Sequence, residues 1–274
     1  MGTIVTIATV GGAADDAAVD RAFAWFREVE SRCSRFDAHS ELSQLSRNVG
    51  APVIVSDLVF EALQFALHVA AASGGAFDPV VGGAMLERGF DRHYRTGARQ
   101  PAMVLGRGAT YRDVEIDPSL RTVTVLRPVV LDLGGVAKGM AVDLAARELR
   151  DVGNFSIDAG GDLFLGGKND EGADWVVGIR HPRKDRAVIE VVRVSGKAVC
   201  TSGDYERGQH VLDPHANAPA TTVASATVIA PTAMLADAAS TAAFVLGPVD
   251  GIAFCRRIGV AAILYTPDLS RHEA

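Results

Sequence analysis

A run of short apolar segments between residues 155 and 230 constrains the fold more than any other feature of the sequence. Gly, Asp, Asn and Pro separate these segments, which is typical of β-strands joined by turns. We expect strands at residues 155–165, 174–180, 187–194, 197–201, 208–212 and 222–230, and another at 260–265. Strands in a run without intervening helices favour antiparallel pairing, so this region predicts a largely antiparallel sheet.

Helical patterns occupy much of the remaining chain. Apolar side chains recur at helical spacing in Ala18, Ala22 and Phe26. We expect helices at residues 15–33, 56–73, 136–150 and 232–246, strands at 3–10 and 128–132, and a hairpin of 113–117 with 122–126. Ser56 is a typical N-cap, and Gly247-Pro248 is expected to end the fourth helix.

These elements predict an α+β fold, with largely antiparallel sheets and packed helices, in a single domain spanning residues 1–274. A Rossmann fold is disfavoured, because no strand is followed by G-x-G-x-x-G and a helix. The chain is 48% apolar and 22% charged, as in soluble globular proteins.

Charge and cysteine content exclude several classes of protein. The formal charge is −6 and no basic stripe is present, which argues against nucleic-acid binding. No apolar run reaches the roughly 18 residues of a membrane span.

Cys33, Cys200 and Cys255 are far apart and are expected to be free thiols. The first residues lack a basic and apolar leader, so we expect either a cytoplasmic location or a targeting segment that has been removed.

The segment from Val129 to Gly139 is the first candidate site. An apolar stretch ends in Asp132, Gly134-Gly135 turn the chain, and a helix opens with Lys138 in its first turn. Backbone N–H groups at a helix start attract anions, and glycine allows a phosphate to approach closely. A strand-to-helix turn that uses glycine only for its dihedral angles also fits these residues.

The predicted helix at 232–246 is the second candidate site. Asp237 and Thr241 are four residues apart and therefore share one face, with Ser240 beside them. Mg²⁺ prefers oxygen ligands and commonly takes one or two carboxylates together with substrate phosphate. A surface aspartate and a threonine bonded to its own helix would give the same spacing.

The third candidate site surrounds His210, which precedes Asp213-Pro214. The unperturbed pKa of histidine lies near neutrality, so His210 is a candidate general base. A structural histidine in a turn is the alternative. Cys200 lies ten residues earlier, but no other feature of a cysteine hydrolase accompanies it.

Taken in order, several motifs of this chain resemble the ApbE-type FAD:protein FMN transferases. The matching segments are Met1-Gly2-Thr3, Ser34-Arg35-Phe36-Asp37, Gly75-Ala76-Phe77-Asp78-Pro79, Arg88-Gly89-Phe90, Asp132–Gly139, Gly160-Gly161-Asp162, Ile179-Arg180-His181-Pro182, Thr201–Tyr205, His210–Pro214 and Ala230–Asp237. Each motif is weak alone, but their order along nearly the whole chain is specific. The resemblance implies an α+β fold related to the T-fold, with FAD in a cleft.

The resemblance also implies roles for matching residues. Asp237 and Thr241 would bind Mg²⁺ with their side chains, Ser240 would lie beside them, and Gly135 would add its backbone carbonyl. The residues expected to contact or enclose FAD are Met1, Phe36, Ser40, Arg88, Gly89, Phe90, Asp132, Lys138 and Val211. The family usually has tryptophan where this chain has Arg88, which changes the surface available for ring stacking.

The expected reaction transfers FMN from FAD to a threonine or serine hydroxyl of an acceptor protein and releases AMP. Positioning and charge neutralisation govern such phosphoryl transfers. His210 would accept the hydroxyl proton, and Asp237 would act through the metal. Two alternatives remain: a Mg²⁺-dependent FAD pyrophosphatase that uses water as nucleophile, and a non-catalytic FAD-binding module.

Overall fold

The computed structural model describes residues 2–11, 16–92, 97–100, 106, 108–205 and 210–274. Its helices are α1 (Asp16–Cys33), α2 (Glu41–Arg47), α3 (Asp57–Ala72), α4 (Gly82–Glu87), α5 (Ala137–Glu148) and α6 (Ala233–Ile258). Its strands are β1 (Val5–Thr9), β2 (Pro52–Ile54), β3 (Val114–Asp117), β4 (Thr122–Val125), β5 (Phe155–Ala159), β6 (Leu163–Gly166), β7 (Trp175–Arg180), β8 (Val188–Val194), β9 (Lys197–Gly203), β10 (Leu212–Asp213), β11 (Ala218–Pro219), β12 (Ser225–Ala230), β13 (Ala261–Tyr265) and β14 (Arg271–Glu273).

A seven-stranded sheet with the order β1-β5-β6-β9-β12-β13-β14 organises the molecule. Every neighbouring pair in it is antiparallel. Smaller sheets are formed by β2-β4-β3, by β7-β8 and by β10-β11. The α+β fold with largely antiparallel sheets is therefore confirmed, as is the hairpin of β3 and β4.

Helices cover one face of the large sheet, because alternate side chains of its central strands are small and apolar. Cys200 of β9 lies opposite Val228 of β12, and both are fully buried beneath the helices. Alanines such as Ala236 and Ala239 of α6 are also fully buried and allow the helix to approach the sheet closely. The β7–β8 hairpin packs on the opposite face, where Leu165, Val194 and Val199 form a second core.

The long helix α6 contains a sharp break at Gly247, which has a φ of 85° and a ψ of 177°. Pro248 then opens a further helical segment, as proline does in a first turn. The expected end of the helix at Gly247-Pro248 is correct, but the segment that follows was not expected. Within the described residues, α6 is long and apolar enough to cross a membrane; most of its apolar window is buried in the core of this fold.

The strand expected at 128–132 is absent, because the backbone of this segment bonds to three different parts of the molecule. The Pro128 carbonyl accepts from Gly106 N–H at 2.7 Å, Leu131 N–H donates to Ser46 Oγ at 3.2 Å, and Asp132 N–H donates to the Pro79 carbonyl at 2.7 Å. Val130 makes a single bridge, to Val81. An apolar, buried segment therefore has no continuous partner strand.

Two other boundaries differ from expectation. The strand expected at 155–165 is two strands, because Gly160 and Gly161 adopt φ values of 65° and 94° and turn β5 into β6. Of the strand expected at 208–212, the described part begins β10 at Leu212, and residues 208–209 lie outside the described residues. The short helices α2 and α4 were not expected. Ser56 caps α3 as expected, accepting from Val59 N–H.

Candidate active site

Helix α5 and the start of α6 pack backbone against backbone, and this packing aligns the candidate residues. A Cβ atom at Gly139 would lie 2.5 Å from the Ala233 carbonyl oxygen, so only glycine fits here. The Asp143 carboxylate accepts from Ala233 N–H at 2.7 Å and Met234 N–H at 2.9 Å, which caps the first turn of α6. Burial raises the pKa of Asp143 to about 6.

Lys138, Asp162 and Asp237 form a buried group that we call the lysine–aspartate cluster. The Lys138 ammonium contacts the Asp162 carboxylate and lies 3.7 Å from Asp237 Oδ2. Asp162 is 2% exposed and Asp237 is 7% exposed. The three side chains come from α5, the β5–β6 turn and α6, so the tertiary fold, not sequence spacing, brings them together.

Hydroxyl groups extend this cluster along α6. Thr241 Oγ1 lies 3.2 Å from Ser202 Oγ of β9, and Ser240 Oγ lies 2.8 Å from the same oxygen. Ser240 Oγ also donates to the Asp237 carbonyl at 2.9 Å. A Cβ atom at Gly135 would lie 3.3 Å from Thr241 Oγ1. Gly135 and Thr241 are therefore neighbours, as the metal-site prediction requires.

The donor atoms of this region suit a hard cation. Among the residues that the structure describes, no group of three His, Cys, Asp or Glu could hold a metal ion. Asp237, the Thr241 hydroxyl and the neighbouring Gly135 backbone supply oxygen, the donor that Mg²⁺ prefers. The lysine–aspartate cluster carries two buried carboxylates and one ammonium. Buried charge of this kind is balanced by a partner or a metal, so a divalent cation fits the site.

Asp132 is fixed in place by a buried arginine. Arg35 is 6% exposed, and its Nε donates to Asp132 Oδ2 at 2.7 Å. Gly134 N–H donates to Asp132 Oδ1 at 2.7 Å, which shapes the turn before α5. The remaining guanidinium nitrogens of Arg35 donate to the Phe90 carbonyl and to Gln100 Oε1. Arg35 thus connects three of the segments expected to enclose FAD.

The loop before α2 is ordered mainly by its own hydrogen bonds. Ser40 is the N-cap of α2: its Oγ accepts from Ser43 N–H at 3.0 Å and donates to the Ser34 carbonyl at 2.6 Å. The Phe36 ring is half-buried, with the Arg35 guanidinium 4.0 Å from its centroid. Ser40 therefore has a structural role, and the FAD contacts expected for Phe36 and Ser40 stay predictions.

A cleft of about 930 Å³ runs beside α4. Its lining includes Asp78, Val130, Gly106, His215 and Asn217. This volume falls within the range of about 300–1,000 Å³ typical of small-molecule sites. Phe77, next to Asp78, lies 3.0 Å from the position of a Cβ atom at Gly135, so the chain segment that lines the cleft also contacts the turn before α5.

The end of α4 forms one rim of this cleft. Arg88 is the exposed C-cap of α4 and donates to the Asn217 carbonyl across the cleft. Gly89 adopts a φ of 85°, and Phe90 is half-buried. Arg88 thus links α4 to the turn between β10 and β11.

The structure says less about the remaining predicted residues. His210 is half-buried, and Val211 is 8% exposed just before β10. The role of His210 as proton acceptor stays a prediction, and Met1 lies outside the described residues.

Cys200 is fully buried and its thiol donates to the Ala233 carbonyl at 3.6 Å. Burial raises the pKa of this thiol well above its usual value, which does not suit a nucleophile.

Sequence reasoning missed four residues that hold this region together: Arg35, Asp143, Asp162 and Ser202. Asp162 and Ser202 belong to the motifs described above, but no role could be assigned because their partners are distant in sequence. Asp143 resembles any polar residue of an amphipathic helix. Arg35 also belongs to one of those motifs, Ser34-Arg35-Phe36-Asp37, and its partners are likewise distant in sequence.

The chain belongs to the ApbE family, whose profile matches residues 1–264. It is 33% identical over 282 residues to a FAD:protein FMN transferase of Treponema pallidum, covering 92% of this chain and 78% of that protein. It is 29% identical over 259 residues to a protein of the same name in Haemophilus influenzae, covering 87% and 75%. The crystal structure of the ApbE protein of Thermotoga maritima superposes with a TM-score of 0.88 at 28% identity, covering all of this chain and 94% of that one.

Proposed function

We propose that this protein transfers FMN from FAD to a threonine or serine hydroxyl of an acceptor protein in a Mg²⁺-dependent reaction that releases AMP. Its relatives are named FAD:protein FMN transferases, which supports the overall reaction. One observation carries the proposal further: Thr241 of α6 lies against Gly135, and Asp237, one turn earlier on α6, lies 3.7 Å from the ammonium of Lys138. This arrangement would place a helix start, which can attract a phosphate, next to oxygen ligands for a hard cation.

Different residues of this chain would bind the metal, contact the phosphates and enclose the rings of FAD. Asp237, Thr241 and the Gly135 carbonyl would hold Mg²⁺, which when bound supplies charge neutralisation for the pyrophosphate. Lys138 would stay near the phosphates, because Asp162 and Asp237 restrain its ammonium. Asp132, oriented by Arg35, would contact FAD from the other side of the turn. The cleft beside α4 would enclose one ring system of FAD.

The proposed step conserves atoms and charge in a simple way. The acceptor oxygen attacks the FMN-side phosphorus, a new P–O bond forms, and the P–O bond to AMP breaks. AMP leaves with the bridging oxygen, and the hydroxyl proton passes to a base. We assign His210 as this base because imidazole accepts a proton near neutral pH.

Substitution of the base gives a separate test of this last assignment. In a single-turnover assay, His210→Ala is expected to slow transfer by roughly 10²-fold. The affinity for FAD should change little, because the base acts on the acceptor hydroxyl. If His210→Ala transfers FMN at the wild-type rate, the proton acceptor is another group.

Acceptor labelling distinguishes transfer from the alternatives. The protein is incubated with FAD, Mg²⁺ and a candidate acceptor, and the intact mass of the acceptor and the nucleotides released are measured. An acceptor that gains the mass of FMN, with equimolar AMP, supports the proposal. Free FMN with AMP and an unmodified acceptor would indicate a pyrophosphatase, and intact FAD would indicate a binding module.

A further inference from the structure

The segment from Arg180 to Arg186, which joins β7 to β8, is strongly basic in an acidic chain. It contains Arg180, Arg183, Lys184 and Arg186 but one acid, Asp185, whereas the whole chain has a formal charge of −6. All five charged side chains belong to exposed residues. We call this segment the 180–186 loop. Its charge has no role in the catalytic steps described above.

Two contacts hold the 180–186 loop beside the active site. The Arg183 guanidinium makes paired bonds of 2.7 and 2.8 Å to the Asp204 carboxylate, and the Arg180 guanidinium lies 5.3 Å from the centre of the Tyr205 ring. Asp204 follows Ser202 by two residues, and Ser202 contacts Thr241. The loop therefore lies at the rim of the region that contains Asp237 and Thr241.

The loop has a defined conformation, with cations left exposed. Pro182 is buried, and Arg183 N–H donates to His181 Nδ1 at 3.0 Å. Arg183 forms a bidentate pair with the Asp204 carboxylate, and this geometry fixes its guanidinium. The Arg186 side chain is 94% exposed and makes only a long, solvent-exposed ion pair of 3.9 Å with Asp185, a kind of pair that contributes little, and Lys184 is exposed beside it. Lys184 and Arg186 are therefore available to a partner at the rim.

We propose that the 180–186 loop is a docking surface for an acidic segment of the acceptor protein. The inference rests on the proposed function, because FMN transfer requires a protein hydroxyl to reach the site beside this loop. Charge complementarity sets the chemistry of the partner: an acidic segment is attracted to the loop and repelled by the rest of the negatively charged chain. Such a segment would approach with its threonine or serine directed to the site.

The test measures binding, so it does not depend on turnover. Two fluorescent synthetic peptides each carry one threonine, flanked by Asp and Glu in one and by Asn and Gln in the other. Their binding to the full chain with FAD is followed by anisotropy. The test variant is Lys184→Glu with Arg186→Glu. The control is Arg193→Glu with Lys197→Glu, an equal change of charge at the far ends of β8 and β9, about 20 Å away along the strand.

The wild-type protein is expected to bind the acidic peptide at least about tenfold more tightly than the neutral one. The preference should disappear in the test variant, persist in the control, and weaken when ionic strength rises to about 0.5 M. Thermal unfolding of both variants verifies that they fold. A milder variant, Lys184→Gln with Arg186→Gln, should lose part of the preference.

Equal affinity for the two peptides, or equal losses in test and control variants, would overturn the proposal. Binding to phosphatidylserine vesicles that needs Lys184 and Arg186, without a preference for the acidic peptide, would assign the loop to a membrane surface instead. The outcomes distinguish a failure of the docking proposal from a failure of the proposed function. A preserved peptide preference without acceptor labelling would contradict FMN transfer alone, whereas labelling without the preference would contradict only the docking surface.

Discussion

The lysine–aspartate cluster and the cleft beside α4 are built in different ways. The cluster lies where regular elements meet, and Asp162 and Asp237 are at most 7% exposed. The cleft rim is formed by a helix end and loops, with Arg88 and Gly89 exposed. Backbone packing fixes the cluster, since Gly139 has no room for a methyl group, whereas side-chain hydrogen bonds hold much of the rim.

Under the proposed function, this contrast would correspond to a division between residues that act on the phosphate and residues that hold FAD. A group that must act on a phosphorus atom needs fixed geometry, which packed helix ends and strands provide. A surface that encloses a large cofactor tolerates variation, which loops permit. Changes in the cluster should therefore reduce turnover, and changes at the rim should mainly alter FAD affinity.

The largest effect is expected for Asp237→Asn. The side chain keeps its size but loses the charge that binds a hard cation, so Mg²⁺-dependent turnover should fall about 10²- to 10³-fold. Steady-state kinetics with varied Mg²⁺ measures this loss. Asp250→Asn is the matched control, because Asp250 is exposed on the same helix, α6. Equal activity of Asp237→Asn and the control would refute the role of the cluster.

Gly139→Ala tests whether packing fixes the cluster. Alanine raises intrinsic helix propensity by about 1 kcal/mol, so an isolated α5 would become more stable. In the folded protein the new Cβ would lie 2.5 Å from the Ala233 carbonyl oxygen, and backbone atoms cannot rotate away. We expect a net loss of about 3 kcal/mol in the free energy of unfolding, measured by urea titration, together with lower turnover. An increase in stability would show that the two helices can separate freely.

Asp143 gives a prediction of pH dependence. Its pKa is raised to about 6 by burial, from an unfolded value near 3.8, so the folded state binds the proton more tightly. This contribution to stability is complete below pH 3.8 and is lost as pH rises through 6. Asp143→Asn cannot titrate. Its stability relative to wild type should therefore rise by roughly 2–3 kcal/mol between pH 4 and pH 7. A constant difference across this range would contradict the buried titration.

Arg35→Lys tests the cleft rim and should have the smallest effect. Lysine keeps the charge but cannot reach Asp132, Phe90 and Gln100 together, because it lacks the planar fork of arginine. We expect the KM for FAD to rise about tenfold, with kcat nearly unchanged. The control is Arg32→Lys, at a more exposed ion-pairing arginine. A larger fall in kcat than in FAD affinity would assign Arg35 to the chemistry.

The sequence predicts the helices and strands of this molecule well, but it predicts poorly which residues that are distant in sequence come into contact. The helical spacing of Ala18, Ala22 and Phe26 predicts α1 because all three side chains face the core. Asp237 and Thr241 could likewise be placed on one face of a helix by their spacing. The contact of Lys138 with Asp162 could not be predicted, because it depends on how α5 packs over the β5–β6 hairpin.

The failures have physical causes of the same kind. The apolar residues from Val129 to Leu131 have the composition of a strand, but composition does not show which segments supply their hydrogen-bond partners. Arg35 is polar in a polar loop, and its burial follows from the meeting of Asp132, Phe90 and Gln100. Pattern therefore predicts elements, whereas long-range packing decides which side chains form the site.

Calorimetric titration of Mg²⁺ into the protein with FAD tests the central claim most directly. The wild-type protein should bind Mg²⁺ in the presence of FAD, and both Asp237→Asn and Thr241→Val should weaken this binding at least about tenfold, because each removes one oxygen ligand. Asp250→Asn should bind Mg²⁺ like the wild type. Unchanged Mg²⁺ affinity in Asp237→Asn and Thr241→Val would contradict a cation site formed by α6 and the Gly134-Gly135 turn.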